Sequence, residues 1–312
     1  MLTKKILLRI AQMLIVLICI SFFTFLLTYL APGDPAEAMY EAAGVSPTPE
    51  QLETARLAMG LDKPFLLQYG KWISGVLRGD LGTSFSKSLP VATLIGQRLI
   101  PTLKIALFSM AIMLAVSVPL GMLSATHQDG IWDYLVRFLS FFGISMPGFW
   151  LGLLLMYVFC VKLRWLPAVS ATSGFREMIL PSVTLAIAMS SKYTRQVRAS
   201  VLEELNQDYV VGAKARGLKY SRILWRHVFK NSLLPLITLL GISFGSLLGG
   251  TSIVEIVFSY PGLGNLAVQS VSARDYPLIQ GVVLWVAMIY MVVNLVVDLT
   301  YDLVDPRIRE AR

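Results

Sequence analysis

The chain has 312 residues, of which 55% are hydrophobic and 15% charged, against roughly 45–50% and about 25% in ordinary soluble domains. With a mean hydropathy of +0.66, this excludes a water-soluble enzyme, a disordered scaffold and a secreted disulfide framework, and points to a polytopic membrane protein. The formal charge of +8 arises from 27 Lys and Arg against 19 Asp and Glu; in a membrane protein such an excess sets orientation, so no nucleic-acid partner is expected.

A spanning helix takes about 20 mostly apolar residues to cross about 30 Å of hydrocarbon. Six stretches are read as spans, at 10–31, 101–126, 134–161, 178–191, 233–257 and 277–301, giving an all-α fold. Lys4, Lys5 and Arg9 precede the first run. That run exceeds the about 7–15 apolar residues of a signal peptide, so it is read as a retained helix. The fourth run is the weakest, because Ser190, Ser191, Lys192 and Arg195 shorten it. The two cysteines, Cys19 and Cys160, lie in apolar runs and say nothing of redox compartment.

Between the first two spans, 32–100 reads as an extracytoplasmic helical subdomain following the N-terminal segment 1–31. Thr48 is placed to cap a helix, with Pro49 at its first position, Gln51 completing a capping box and Gly60 ending it. Phe65, Tyr69, Trp72, Ile73 and Val76 recur at helical spacing and predict a second helix, lying on the membrane surface or packed on the spans. The transmembrane core is then 101–312. Basic residues gather at the N-terminus, between spans four and five, and at Arg307, Arg309 and Arg312, while the short loops on the other side hold few. Both termini are therefore expected in the cytoplasm.

Within that core, 199–231 is far longer than the about 2–8 residues that usually join bundle helices. Asn206 is expected to cap a helix over 207–216, Gly217 to supply a left-handed exit, and Ser221 to cap a second helix through Phe229. Gly212, Ala213 and Ala215 are small, and Lys214, Arg216, Lys219, Arg222 and Arg226 surround them with positive charge. Such an elbow suits insertion into a partner's groove; a solvated basic loop that merely obeys the orientation rule has the same composition.

Inside the spans, Pro119 and Pro147 remove backbone hydrogen bonds and kink their helices, shaping either a cavity or the static bundle. Gly241, Gly245 and Gly249 fall on one helical face and allow tight packing or line a pathway. The run Gly241-Ile242-Ser243-Phe244-Gly245 also fits the hydrolase pattern G-x-S-x-G, yet it lies mid-helix with no histidine in the span. Charge in the bilayer is costly, which makes Glu255 and Asp298 candidates for contact with substrate or a neighbouring helix. His127 and His227 are the only histidines, no ligand cluster has metal spacing, and the intramembrane methionines Met110, Met113, Met146, Met156 and Met189 are read as core filling. No G-x-x-x-x-G-K-[ST] occurs, since Gly70-Lys71 is followed by Trp72. The chain is therefore expected to hydrolyse no nucleotide itself and to carry no cofactor.

The residues from Glu204 to Pro235, with Asp208-Tyr209, Ala213-Lys214-Ala215-Arg216-Gly217, Asn231 and Leu234-Pro235, resemble the cytoplasmic "EAA" loop of binding-protein-dependent ABC importer permeases. Pro32-Gly33-Asp34-Pro35, Gly79-Asp80-Leu81-Gly82-Thr83-Ser84, Ser145-Met146-Pro147, Phe258-Ser259-Tyr260-Pro261-Gly262-Leu263-Gly264 and Asp305-Pro306-Arg307 are similar to the dipeptide/oligopeptide/nickel branch in the same order. One departure is Glu204-Leu205-Asn206 at the loop's eponymous position. The resemblance implies six transmembrane helices of the type I importer kind in a bacterial inner membrane. It also implies ATPase coupling through Asn206, Asp208, Tyr209, Gly212, Ala213, Lys214, Ala215, Arg216 and Gly217. Its implied partners are a second homologous permease subunit, two ABC ATPase subunits, an extracytoplasmic substrate-binding protein and membrane lipid. Met146, Pro147, Gly241, Gly245, Gly249 and Glu255 are pathway candidates, and no residue is assigned to a metal. Similarity along the third span and at Tyr260–Gly264 favours nickel or a nickel chelate as cargo, with di- or oligopeptide as the alternative. A secondary transporter would instead need an inverted repeat and coupling carboxylates, neither of which is evident.

Overall fold

Backbone groups in lipid must be satisfied within their own segment, and helices do this wherever the chain is apolar enough to enter the bilayer. The structure is a computed structural model that describes residues 2–170 and 172–304. Among the described residues its regular secondary structure is all helical, apart from an isolated bridge between Thr83 and Pro90. Asp305-Pro306-Arg307 and the side chain of Asp298 lie outside the described residues. The chain divides into two compact units, Met1–Thr102 with Pro261–Val292, and Leu103–Tyr260 with Val293–Arg312.

The first unit holds α1 (Leu2–Leu30), α2 (Pro35–Ala42), α3 (Pro49–Met59), α4 (Phe65–Leu77), the start of α5 (Val91–Thr126), α12 (Leu263–Ser272) and the start of α13 (Tyr276–Val304). The expected capping box is present: Gln51 N donates to Thr48 Oγ1 at 3.3 Å and Thr48 N to Gln51 Oε1 at 2.8 Å. Gly60 closes α3 at φ +72°. Thr48→Ala is expected to cost about 1 kcal/mol of helix stability, read as roughly fivefold faster amide exchange in α3 at unchanged global stability.

The aromatic stripe of α4 packs on the first span. Tyr69 meets Phe22 at 5.4 Å between ring centroids, Phe65 meets Tyr29 at 5.2 Å, and the Tyr69 hydroxyl lies 2.9 Å from Ser21 Oγ. Beneath it Leu81, Val91, Ile95, Leu263, Leu266 and Leu278 form an apolar core.

The second unit holds the rest of α5, then α6 (Ile131–Ser145), α7 (Gly148–Met156), α8 (Phe175–Leu205), α9 (Asp208–Ala215), α10 (Tyr220–Arg222) and α11 (Phe229–Val257). A π-helical turn, Tyr157–Lys162, prolongs α7, and another, Ile223–Val228, joins α10 to α11. Its core joins Met113, Met122, Tyr193, Val197, Val228 and Leu236, with Met110 and Met189 packed against it. These methionines fill space between helices, as flexible thioethers do.

Three of the expected spans differ in form from the simple apolar helix that the sequence suggests. Among the described residues three helices, α1, α5 and α13, are long and apolar enough to cross a membrane unaided. The expected third span is not one helix: α6 and α7 meet at 97° and reach spanning length only as a pair. Pro147 explains this, because a proline disfavours the helical region for its predecessor, and Met146 is extended at φ −84°, ψ 128°. The fourth expected span lies within α8, where Ser182, Thr184, Ser190 and Ser191 are turned into the protein and Lys192 and Arg195 follow, so α8 is not apolar enough to pass alone. The fifth begins earlier than expected, at Tyr220, with a 49° bend between Leu233 and Pro235.

Candidate functional site

The segment connecting α8 to α11 is built from the end of α8 outward. Asn206 ends α8 instead of starting the next helix, correcting the cap assigned to it: its backbone is near-helical and its Nδ2 donates to the Leu202 carbonyl at 3.0 Å. Gln207 turns extended, at φ −78° and ψ 148°, and occupies the cap position of α9 without a side-chain bond. The helix therefore covers Asp208–Ala215, one residue shorter at each end than 207–216. Asp208 in its first turn and Lys214 in its last complement the helix dipole.

Gly217 leaves α9 at φ +72°, the left-handed geometry expected of it. The second short helix capped by Ser221 does not form as a separate element. Lys219 occupies the cap position, and α10 runs through the π-helical turn into α11.

Burial separates the two faces of α9. Val210 and Ala213 are buried against Ile223, Leu224 and Val228. Ala213 therefore belongs to the protein's own core, and its small size serves internal packing more than an approaching surface. The Tyr209 hydroxyl donates to Glu204 Oε2 at 2.7 Å. Burial and that carboxylate push its pKa up to about 12, while a bond with Asn231 pulls the other way. Tyr209 thus ties α9 to the shaft of α8 as a neutral donor at all physiological pH values.

The outward face presents Asp208, Val211, Gly212, Lys214, Ala215, Arg216 and Gly217, all exposed, with Val211 at 63%. Arg222, Trp225 and Arg226, in the turn that follows, are exposed as well. An apolar, low-relief centre rimmed by cations results, because only Val211 stands proud between a glycine and an alanine. Trp225, 54% exposed and edge-on to Phe229 at 5.4 Å, lies in the segment that follows and is not singled out by the sequence. An aromatic among basic residues was its only signal.

The pathway candidates are spread along the unit. Met146 is half-buried at the 97° break and Pro147 is exposed beside it. Gly241 is buried where α11 meets α13, and a Cβ there would lie 2.8 Å from Val297 Cγ2. Gly245 is partly buried on the same helix, and Gly249 follows within α11. The G-x-S-x-G run is thus continuous helix, lacking the strand-to-helix elbow that a nucleophilic serine needs.

Glu255 is fully buried near the end of α11, and its carbonyl accepts from Tyr260 N at 2.7 Å. Burial pushes the Tyr260 hydroxyl up to about 12, with the Glu255 and Glu177 carboxylates adding to the shift. Gly152 of α7 lies against Phe258, Thr184 and Val257, which brings α7, α8 and α11 together at that end. Among the described residues no group of three or more His, Cys, Asp or Glu is arranged to hold a metal ion.

Residues 117–310 match the family described as binding-protein-dependent transport system inner membrane component, and residues 1–106 match its N-terminal membrane component. The chain belongs to this family. It is a multi-pass inner-membrane permease subunit of an ABC importer and is not itself catalytic, which sets aside the secondary transporter and the intramembrane hydrolase.

The chain is 37% identical to a putative peptide transport system permease of Brucella melitensis, covering 99% of each chain. It is 39% identical to a probable peptide ABC transporter permease of Sinorhizobium fredii, over 96% of this chain and 97% of the relative. It is 40% identical to a glutathione transport system permease of Pectobacterium atrosepticum, over 98% and 97%. The fold is similar to an inward-facing MetNI methionine ABC transporter at TM-score 0.55 and 15% identity, covering 68% of this chain and 96% of the other. The preference for nickel finds no support among these relatives, whose names speak for the peptide alternative.

Proposed function

We propose that this chain forms one half of the translocation pathway of an ATP-driven importer of peptides, with a second homologous permease subunit as the other half. The observation that carries the cargo is near full-length similarity, at 37–40% identity, to permeases named for peptide and glutathione transport. Two ABC ATPase subunits supply ATP and Mg, and an extracytoplasmic binding protein delivers the peptide. In this reading α8 completes a six-span core with both termini in the cytoplasm, its polar side chains facing protein and not lipid.

Coupling runs through α9. Its exposed apolar centre and cationic rim dock into an ATPase groove. Val210, Ala213 and Tyr209 bind the same helix to the permease core, so that movement of the groove moves α8 and α11 with it. Asp208, Gly212, Lys214, Ala215 and Arg216 face the partner, while Gly217 sets the direction in which the chain returns. Gly245 and Glu255 remain candidates for lining the route; Gly241 is engaged with Val297.

The deciding experiment uses the four-subunit complex in proteoliposomes with its binding protein. ATP-dependent uptake of a labelled dipeptide, a labelled oligopeptide, glutathione and ⁶³Ni is compared. Peptide uptake above background with nickel at background is the expected result. Nickel uptake exceeding that of every peptide would return the cargo to the metal.

A further inference from the structure

Asp133 is fully buried in the first turn of α6, yet it carries a carboxylate. Arg198 of α8 donates to it twice, Nε to Oδ1 at 2.7 Å and Nη2 to Oδ2 at 2.7 Å. Ser124 Oγ near the end of α5 donates to Oδ1, and Asp129 N in the α5–α6 turn donates to Oδ2 at 3.0 Å. Arg137 Nη1 lies 3.9 Å away, and the Asp129 charge also acts on Arg198. One carboxylate thus gathers α5, its turn, α6 and α8.

Buried ion pairs of this kind gain little net stability, because desolvation consumes most of their attraction. Their distinctive property is direction. Apolar contacts tolerate sliding and rotation, whereas two parallel N–H···O bonds fix both.

The placement gives that direction a use. Immediately before Arg198, α8 is approached closely by two glycines: Gly143 of α6 lies against Ser191, and a Cβ on Gly121 of α5 would stand 2.6 Å from Val197 Cβ. Arg198 follows these contacts, and α8 then runs unbroken for about two turns to Leu205, where the connection to α9 begins. On the returning helix, Ser232 Oγ donates to Ser200 O at 3.4 Å.

We propose that Asp133 and Arg198 are positioning residues for transport: their bidentate pair locks the α5–α6 corner to the shaft bearing α9, so that displacement of α9 turns α5 and α6 instead of slipping past them. The proposal rests on α9 being the coupling element.

The test uses the assembled transporter in proteoliposomes, measuring binding-protein-stimulated ATP hydrolysis and peptide uptake in one preparation. Asp133→Leu/Arg198→Met replaces the pair by apolar side chains, a change that commonly preserves or raises stability. Arg198→Lys keeps the charge and loses the fork. Both variants are expected to assemble and to hydrolyse ATP at near wild-type rates. Peptide moved per ATP should fall at least about fivefold in the double variant, and less in Arg198→Lys.

A wild-type transport-to-ATP ratio in the double variant overturns the proposal, since the pair would then be replaceable packing. So does a parallel loss of ATPase activity, uptake and thermal stability in both variants. Should the double variant not assemble, the ratio in Arg198→Lys decides by the same criterion. Failure of the coupling reading itself looks different: a complex with α9's exposed face replaced would then hydrolyse ATP and move peptide as the wild type does.

Discussion

Replacing Gly217 with valine is expected to lower peptide uptake on the order of tenfold at an unchanged amount of protein in the membrane. The reason is confined to the backbone. Gly217 stands at φ +72°, and a Cβ placed there would meet nothing within 4 Å, so a side chain has room and only the dihedral resists it. Left-handed geometry costs an L-residue roughly 1–2 kcal/mol, most for a β-branched one, and each 1.4 kcal/mol is about a factor of ten in population. Relief comes from turning the loop away from φ +72°, which re-aims α9 while Val210 and Ala213 still hold the bundle together. Asparagine tolerates the conformation best among residues bearing a Cβ. The series should therefore run glycine, asparagine, alanine, valine in falling uptake, with ATPase capture on affinity purification falling in parallel. Wild-type uptake by Gly217→Val would remove the assigned role of this exit.

The position of Gly217 was legible because a single residue type supplies a positive φ cheaply. Thr48, Pro49 and Gln51 were legible for a related reason: a capping box is complete within four neighbouring residues and needs no tertiary partner. The α4 stripe could be read from its period, since thirteen residues suffice to display a face. Two-turn α9 is too short for that, which is why Ala213 was assigned outward when it is 3% exposed. Asn206 misled because asparagine serves either end of a helix; the extended backbone at Gln207 decides which, and it leaves no mark on composition. Pro147 announced a break but not its size, as the 97° angle depends on what α6 and α7 pack against. Asp133 and Arg198 lie 65 residues apart, and a pairing at that distance has no periodic signature. In the sequence Arg198 is only one more basic residue between the fourth and fifth apolar runs.

The same limit hid Asp275, whose replacement by alanine is expected to destabilise the first unit by about 3 kcal/mol. Its carboxylate is fully buried at the start of α13, with Leu278 N donating to Oδ1 at 3.3 Å. Phe85 N donates to Oδ1 at 3.1 Å, and Oδ2 receives Ser86 N at 3.0 Å, Ser86 Oγ at 2.7 Å and Ser84 Oγ. The partners are up to 191 residues apart.

This clamp accounts for the run Gly79–Ser84. Gly79 and Gly82 take φ +84° and +81°, Asp80 Oδ1 accepts from Gly82 N at 2.8 Å, and Leu81 plugs the core. Thr83 then bridges to Pro90, and Ser84 delivers its hydroxyl to Asp275. Removing the carboxylate strands the buried Ser84 hydroxyl and the half-buried donors of Phe85 and Ser86; a donor orphaned in a buried site costs about 1–3 kcal/mol, though not additively. Asp275→Asn keeps one oxygen but turns an amide toward donors, so it should recover only part of the loss. Ser84→Ala removes one donor to Asp275 and the acceptor of Lys87 N at 3.1 Å, and should cost about 1–2 kcal/mol. Thermal unfolding of the purified protein in detergent orders the three. An Asp275→Ala melting temperature equal to that of wild type would show that the loop is held by its apolar plug Leu81 alone.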